Sequence, residues 1–423
     1  MSKEPSKEVT NVWNKVFDEI NNFVMPFDPS NPPEGFACLN FPGETVIATD
    51  YDPQNAVNKS NICAKMNRIP KYCRNYVDSG KTVSGLAEQI LSAYPPKVEE
   101  YVKARQQIEH DKARNVIDKH GDAYYQYKRM YNVANRAYLS VKNRPDVTEV
   151  ELLEKEQERN TAFDLWNGLG YKTTVDGAIA ITKRLTYTAE TVQSALITKL
   201  ANAESSHFEV VFSPNNWVDP DKLSWTNVAI KRTSKEIKKH NTIDKFSYDK
   251  SVNVFWVIYK GADRDTKTED KLNEATNMDA LEFTFEIARV DIIRDWFPGD
   301  FLTYAGLWMK GRSKGSLCAG SLEKAKDSDY LSIPTGFIVA RNINIYGEFG
   351  TEVNKFLKTF KESHEYTKAG FGIYSFDKKT STSTETSEKS EFSGKTKITT
   401  GPRMQIIGYI NSVLPPFPTA DHE

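Results

Sequence analysis

The sequence predicts an α+β protein, in which an N-terminal helical bundle is followed by an antiparallel β-rich C-terminal domain with a long Ser/Thr-rich hairpin. Apolar residues recur at helical intervals up to residue 206, and runs with a two-residue period follow. We predict three regions. They are residues 1–95, an N-terminal helix and irregular segment that pack on the bundle, residues 96–206, the helical bundle, and residues 207–423, the β-rich domain.

The first region begins with an amphipathic helix. In residues 8–24, "EVTNVWNKVFDEINNFV", apolar side chains return every three or four positions. A proline-rich turn follows, and residues 36–95 then contain two short helical patterns in an otherwise irregular segment. We predict those short helices at residues 56–66 and 83–92.

Long helices dominate the second region. Pro95 and Pro96 mark its start, because proline fits the first helical turn, and we expect Gly121 to interrupt the helix. Thr148 and Glu151 have the spacing of a capping box, which predicts another helix start. Alternating charges on the outer faces are typical of antiparallel bundles. Two further helices are predicted over residues 175–184 and 189–203.

The third region has the composition of a sheet. The segments "HFEVVF", "LSWTNVAIKR", "SVNVFWVIYK" and "FIVARNINIY" are rich in strand-forming residues. Residues 281–293 alternate apolar and polar side chains, which predicts a half-buried strand. A charge-rich polar segment, residues 261–279, separates two strands, and residues 350–366 return to helical spacing.

The composition limits the classes of partner and location. Hydrophobic residues make up 39% of the chain, which is enough for a sizeable core, and the net charge is -1. This balance gives no long-range attraction to nucleic acid, so we expect no nucleic-acid partner. The N-terminus has no apolar signal region, and no apolar run approaches the roughly 18 residues of a membrane-spanning helix. We therefore expect a soluble protein that is cytoplasmic as synthesised, with release by lysis or a signal-independent route.

No motif of a catalytic or cofactor site is present. Two Gly-Lys-Thr triplets lack the first glycine of a phosphate-binding loop, because Asn75 and Lys389 occupy the required positions. The histidines are scattered, and the carboxylates have no distinctive spacing. The cysteines form no CxxC pair, so we expect buried free thiols, with a Cys63–Cys73 disulfide as the alternative for an exported chain. We predict no catalytic residue, no cofactor, no bound metal and no enzymatic activity.

The most aromatic stretch, "RDWFPGDFLTYAGLWM", offers one candidate contact site. Trp296, Phe297 and Trp308 are amphipathic or apolar rings that suit a partner protein, a glycan or a membrane interface. The alternative is a packing role. In that interpretation the first two rings plug the base of the β-rich domain, and Arg294 and Asp295 form an ion pair over them.

The Ser/Thr-rich stretch, "DKKTSTSTETSEKSEFSGKTKITT", offers the second. Built as a strand, it places Thr380, Thr382 and Thr384 on one face. Pore-forming β proteins insert such hairpins as closed barrels, and a membrane-spanning strand needs about 9–11 alternating residues with an apolar face. Here the threonines, Phe392 and Ile398 would form that face, which Glu388 interrupts. A solvated hairpin or loop is the alternative.

The C-terminal half resembles a group of uncharacterised soluble proteins from bacteria and fungi. The likeness covers residues 160–416 and rests on "WTNV", "FEIARVDIIRDWF", "FIVARNINI" and a hydroxyl-rich hairpin that leads into "GPRMQIIGYINSVLPP". It implies no particular activity. The order of a helical region and a Ser/Thr-rich hairpin is also similar to aerolysin-like and other pore-forming toxins, as an analogy of architecture.

Three hypotheses for the function follow. The first is a toxin-like, membrane-active, pore-forming protein that oligomerises with copies of itself and deploys the hairpin, with a membrane lipid or a surface receptor as its target. The second is a structural protein that self-assembles through sheet edges and the aromatic region. The third is an enzyme with an unrecognised site. The candidate contact residues are Trp296, Phe297, Trp308, Thr380, Thr382, Thr384 and Phe392.

Overall fold

The structure, a computed structural model, describes residues 7–24, 35–51, 55–95, 100–142, 147–184, 187–231, 255–277, 281–324, 328–376, 381–384 and 394–421. It is an α+β protein, which confirms the predicted fold class. The chain divides into two compact units. The sheet unit comprises Met1–Leu91, Thr198–Pro298 and Lys314–Pro418, and the helical unit comprises Ser92–Ile197, Gly299–Ser313 and Thr419–Glu423.

The helices begin where side chains can cap the first turn. Asn55, Thr148 and Asp265 accept hydrogen bonds from backbone amides two or three residues later, at the starts of three helices. The helix start predicted at Thr148 is confirmed, since its Oγ1 accepts from the amide of Glu151 as an N-cap does. Within the described residues the helices are α1 (Lys7–Val24), α2 (Ala56–Met66), α3 (Val83–Leu91), α4 (Glu100–Lys142), α5 (Glu149–Gly168), α6 (Lys172–Arg184), α7 (Tyr187–Ser205), α8 (Thr266–Glu274) and α9 (Thr351–Glu362).

Within the described ranges the strands form three sheets, and all the paired strands run antiparallel. In the described part of the chain they are β1 (Gly35–Thr45), β2 (Arg68–Pro70), β3 (Asp78–Thr82), β4 (Val211–Ser213), β5 (Thr226–Ile230), β6 (Trp256–Lys260), β7 (Asp263–Arg264), β8 (Glu282–Ile293), β9 (Ser332–Gly347), β10 (Lys368–Phe371), β11 (Tyr374–Phe376), β12 (Ser381–Thr384), β13 (Thr396–Thr399) and β14 (Gln405–Val413).

Strand β9 organises the main sheet of the sheet unit. One side of β9 pairs with β8, which in turn pairs with β4 and β5. The other side pairs first with β14 and then with β13, so that the partner changes between Ala340 and Asn344. Asn342 lies at this change with a φ of 50°, and its amide donates to the Gly401 carbonyl at 2.9 Å. Strand β1 extends the sheet beyond β14, and β12 extends it beyond β13.

Two hydrophobic cores cover opposite faces of this sheet. Phe283 and Phe285 of β8 pack in a core with α1, α9 and the small sheet β11-β10-β6-β7. Val290 and Ile292 occupy the alternate positions of the same strand and pack in a second core with α2 and Trp217. Because neighbouring strand residues point to opposite faces, the two cores lie on the two sides of the sheet.

The helical unit contains a small aromatic cluster among its described residues. Helix α4 packs against α5 and α6, and Tyr124, Trp166 and Val175 form their buried cluster. The Tyr124 hydroxyl donates to Asp176 at 2.6 Å, and the ammonium of Lys172 lies 4.9 Å from the Trp166 ring centroid. Aromatic and charged side chains therefore share the packing of this bundle.

Several elements differ from the sequence predictions. Helix α4 runs through Gly121 without interruption, since a helical glycine costs only about 1 kcal/mol and neighbouring turns pack. The polar segment 261–279 contains helix α8, which buries a single apolar residue, Leu272, and so has no hydrophobic stripe. The segment predicted as irregular contains β1, whose pattern is broken by Pro42 and a register shift. None of the helices in the described ranges has the length and apolar character needed to cross a membrane.

Candidate functional site

The aromatic turn, residues 294–297, belongs to the sheet unit, and Trp296 is its buried residue. Trp296 is 6% exposed, its Nε1 donates to the Glu209 carbonyl at 2.8 Å, and its ring packs edge-on against Phe208. Phe297 beside it is half-buried. The burial and the satisfied indole N–H favour the packing interpretation of Trp296, because a buried ring with all its polar atoms bonded has nothing left to offer a partner.

The ion pair predicted between Arg294 and Asp295 is wrong. The buried Arg294 guanidinium donates to the carbonyl of Pro334 at 2.6 Å and to that of Met66 at 2.5 Å, and contacts no carboxylate among the described residues. Burial lowers the pKa of Arg294 to about 9. The side chain therefore connects the end of α2 to the start of β9 through backbone carbonyls.

Trp308 lies in the helical unit. Its ring stacks on that of Tyr94 with centroids 4.6 Å apart, and the two residues exchange backbone hydrogen bonds of 2.8 and 3.0 Å. Tyr94 is half exposed. The aromatic stretch of the sequence thus contributes to two units, and its three predicted contact residues have different environments.

The hydroxyl-rich stretch forms a paired hairpin at the edge of the main sheet. Thr382 pairs with Ile398 and Thr384 with Thr396, which confirms a strand in this part of the stretch. Thr380 and Phe392, the other two predicted contact residues, lie outside the described residues. The hairpin strands are β12 and β13, and only β13 also pairs with β9.

Strand β13 is anchored by its side chains as well as its backbone. Ile398 is 1% exposed within the core that contains α1 and α9. The Lys395 ammonium contacts Glu282 of β8 at 2.6 Å, and that of Lys397 lies 5.6 Å from the Tyr346 ring centroid. The β13 half of the hairpin is therefore a built part of the sheet.

A cavity of about 380 Å³ separates this hairpin from helix α9, and we call it the hydroxyl groove. Helix α9 buries an apolar stripe that includes Val353 and Phe356, which fixes the helix on the sheet. Lys358 and Lys361, three positions apart, then lie on neighbouring turns beside the groove. The lining residues are Asn354, Leu357, Lys358, Lys361, Thr382, Ser383 and Thr396.

Three polar groups beside the hydroxyl groove have no hydrogen-bond or ion-pair partner among the described residues. Neither the Lys358 nor the Lys361 ammonium forms an ion pair or hydrogen bond within the residues that the structure describes. The Thr382 hydroxyl is buried and also has no partner there, which costs ~1–3 kcal/mol. Thr382 and Ile398 are direct cross-strand partners, so their side chains lie on the same face of the sheet. Ile398 packs in the core that contains α9, and the Thr382 hydroxyl therefore points to the α9 side. The described lining residues supply cations and hydroxyls, and none of them is a carboxylate, histidine or cysteine. These residues can bind an anion, but they form no acid–base pair.

A polar cluster supports the root of the hairpin, where β9 changes partner. Arg341 donates to Glu286 at 2.5 Å, and the Asn342 amide group donates to the same carboxylate at 3.1 Å. Burial alone would raise the pKa of Glu286, but these hydrogen bonds and the arginine charge outweigh it and lower that pKa. The Arg341 guanidinium also lies 4.2 Å from the Trp225 ring centroid.

The described residues bring together no group of three or more histidine, cysteine or carboxylate side chains that could hold a metal ion. All four cysteines are free and buried, so Cys63 and Cys73 form no disulfide. Burial raises the pKa of the Cys38 thiol to about 12, which keeps it protonated and unreactive.

The sequence interpretation missed the two lysines of α9. Their spacing is visible in "NKFLKTFKE", where lysines recur every three residues beside an apolar stripe. That pattern is ordinary for a solvated helix face. Only the tertiary packing of α9 beside the hairpin makes Lys358 and Lys361 part of a site with Thr382.

No protein-family model, curated protein or solved structure matches the chain. The resemblance of residues 160–416 to a group of bacterial and fungal proteins therefore stays a prediction.

Proposed function

We propose that the protein is a non-enzymatic, toxin-like, membrane-active protein that oligomerises and uses the β12–β13 hairpin as its membrane-directed element. The observation that carries the proposal is the asymmetry of the hairpin. Strand β13 is built into the sheet, whereas the outer side of β12 has no strand partner among the described residues.

An unpaired strand edge is a template for another strand. Its free amides and carbonyls can pair with a second copy of the chain, and repeated pairing closes a sheet into a barrel. Closure is also the condition for strands in lipid, since backbone groups have no water to bond there. The hydroxyl side chains of β12 tolerate water before assembly and can face a barrel lumen afterwards.

The contacts that hold β13 on the sheet determine the free energy needed to move the hairpin away from it. Moving the whole hairpin exposes Ile398, at ~1.5–3 kcal/mol, and breaks the contact between Lys395 and Glu282. The soluble form therefore holds the hairpin until pairing with other copies or contact with a membrane compensates for these losses.

A liposome dye-release assay tests the proposal by comparing wild-type protein with a variant whose hairpin is held on the sheet by a disulfide. Asn344 and Thr399 are direct cross-strand partners, so Asn344→Cys with Thr399→Cys can tie β9 to β13. We expect wild-type protein to release dye, the oxidised double variant to release none, and reduction to restore release. A wild type that releases no dye over a range of lipids and pH would overturn the proposal.

A second lock is the matched control. Ser383→Cys with Lys397→Cys ties β12 to β13 and leaves the hairpin free to move as one piece. This variant should release dye in both redox states, as should wild type with and without reductant. If it is blocked as fully as the first lock, the hairpin does not move as a unit.

Self-assembly without a membrane is the second candidate, because the free edge of β12 serves it equally well. Solution mass against protein concentration distinguishes the two candidates. Growth into large particles without lipid supports a structural role, whereas a monomer at every concentration and salt strength excludes it.

A further inference from the structure

We propose that the hydroxyl groove is a binding site for a phosphate-type anion, held by Lys358 and Lys361 of α9 and the hydroxyl of Thr382. The lipid form of this ligand, a phosphorylated headgroup, rests on the proposed membrane-active function. The site itself rests only on the groove.

Position, and not the lack of an ion-pair partner, distinguishes the groove lysines: Lys355 of the same helix also has no ion pair among the described residues, but only Lys358 and Lys361 of this helix's lysines line the groove. Lys59, Lys65 and Lys395 each contact a carboxylate, as expected for cations on a protein surface of balanced charge. Lys358 and Lys361 have no such partner among the described residues, although like charges three positions apart on a helix repel each other. An anion between the two ammonium groups removes that repulsion.

The hairpin supplies the second half of the site. The Thr382 hydroxyl is buried and has no partner among the described residues, and Thr396, which lies on the same face of the hairpin, lines the same groove. A hydroxyl donates to an anionic oxygen, and the bond is stronger than one between neutral groups. The site thus offers point charges on one wall and short neutral donors on the other, an arrangement suited to phosphate.

Size and polarity narrow the ligand class. A volume of about 380 Å³ lies at the lower end for small-molecule sites. It accommodates a phosphomonoester with a small organic group, and Leu357 gives that group an apolar contact. No carboxylate is among the described lining residues, so the two lysines offer two positive charges for the two negative charges of a phosphomonoester.

Isothermal titration calorimetry with glycerol 3-phosphate tests the site on the full chain, with inorganic phosphate as a second probe. We expect saturable binding that weakens with salt, and about tenfold lower affinity for each of Lys358→Gln and Lys361→Gln. Thr382→Val, which keeps the shape and removes the hydroxyl, should also weaken binding.

Lys355→Gln is the matched control, because it removes the same charge from an exposed position on the same helix outside the groove. Its affinity should equal that of the wild type. Binding that is absent from the wild type, or lost equally in Lys355→Gln and Lys358→Gln, overturns the proposal. Thermal melting of each variant shows whether a loss of binding is a loss of folding.

A vesicle arm separates the two sources of the phosphate group. Phosphatidylcholine vesicles with phosphatidic acid present a phosphomonoester, and vesicles with an equal fraction of phosphatidylglycerol present a phosphodiester. Preference for phosphatidic acid, lost in the Lys358→Gln/Lys361→Gln double variant, supports a headgroup ligand. Glycerol 3-phosphate binding without vesicle binding supports a free phosphate ligand at the same site. Dye release that is absent while glycerol 3-phosphate binds overturns the proposed function and leaves the site standing.

Discussion

The aromatic turn is rich in apolar rings, whereas the hairpin is rich in hydroxyl groups, and the two regions have different environments in the structure. Trp296 of the turn is buried and Arg294 is half-buried. The indole and the two terminal guanidinium nitrogens donate to backbone carbonyls, and only the Arg294 Nε has no partner among the described residues. The hairpin is anchored through Ile398 but leaves the Thr382 hydroxyl and the nearby α9 lysines without partners among the described residues.

The difference shows where unused binding capacity remains after folding. Aromatic side chains bury large apolar areas, so Trp296 of the aromatic stretch is drawn into the core, where its indole N–H is bonded. Hydroxyls and ammonium groups gain little from burial and stay near the surface. Groups that remain unsatisfied next to a cavity are therefore a better guide to a site than aromatic density is.

The largest expected effect concerns the turn. Trp296→Ala should lower the free energy of unfolding by ~3–5 kcal/mol, because it leaves a cavity and removes the bond to the Glu209 carbonyl. Urea denaturation measures the change. The half-buried neighbour provides the control, since Phe297→Ala should cost clearly less. Near-wild-type stability of the Trp296 variant, with a loss of membrane or partner binding, would restore the contact-site hypothesis for this ring.

The next effect tests the anchor of the hairpin. Ile398→Ala should cost about 3 kcal/mol, because the side chain is 1% exposed in the larger core. Ser383→Ala, on the exposed strand, should change stability by less than about 0.5 kcal/mol. Equal small changes in both variants would show that β13 is as loosely held as β12, and the asymmetry of the hairpin would be lost.

Much of the fold follows from local sequence patterns. Periodicity predicts α1, α2 and α3 to within a residue and the start of α9 to within a residue, although α9 ends four residues before the predicted segment does. Alternation predicts β8. These elements carry their packing face in their own sequence. The strand β1 is not predicted, since Pro42 and a register shift break its alternating pattern. The helix α8 is not predicted either, because one buried leucine does not make a periodic apolar stripe.

The sequence predicts the hydroxyl side of the candidate site but not its lysine side. Thr382 stands out in a run of hydroxyl residues, but Lys358 belongs to an ordinary solvated helix face. Their proximity depends on the pairing of β13 with β9 and on the packing of α9 against the larger core, contacts between residues far apart in sequence. Local propensity contains no information on such contacts.

A smaller effect comes from proline at the outer strand. The backbone N–H groups of a strand point alternately toward and away from the partner, so proline removes ladder bonds at every second position only. We therefore expect one of two double variants, Thr382→Pro/Thr384→Pro or Ser381→Pro/Ser383→Pro, to cost ~1–3 kcal/mol, and the other to be close to neutral. Thermal melting compares them. If both are neutral, β12 is a solvated loop and contributes no pairing.

The smallest effect is a pH dependence at the root of the hairpin. Hydrogen bonds from Arg341 and Asn342 lower the pKa of Glu286, so the folded state binds its proton less readily than the unfolded state, whose value is 4.5. The stabilisation is therefore complete at pH values above 4.5 and is lost as the pH falls through the lower folded pKa. Glu286→Gln should cost about 1–2 kcal/mol near neutral pH and progressively less in acid.

Urea denaturation near pH 7 and near pH 4 measures this change, and an exposed pair gives the control. Glu209→Gln removes the partner of Lys59, whose side chain is 40% exposed, and should have almost no effect at either pH. Because Asn342 joins Glu286 to the point where β9 changes partner, acid should lower hydrogen-exchange protection in β13 before it affects the Trp296 indole. Loss of both at the same pH would mean that the turn and the hairpin unfold as one cooperative unit, and that the hairpin cannot open separately while the rest of the sheet stays folded.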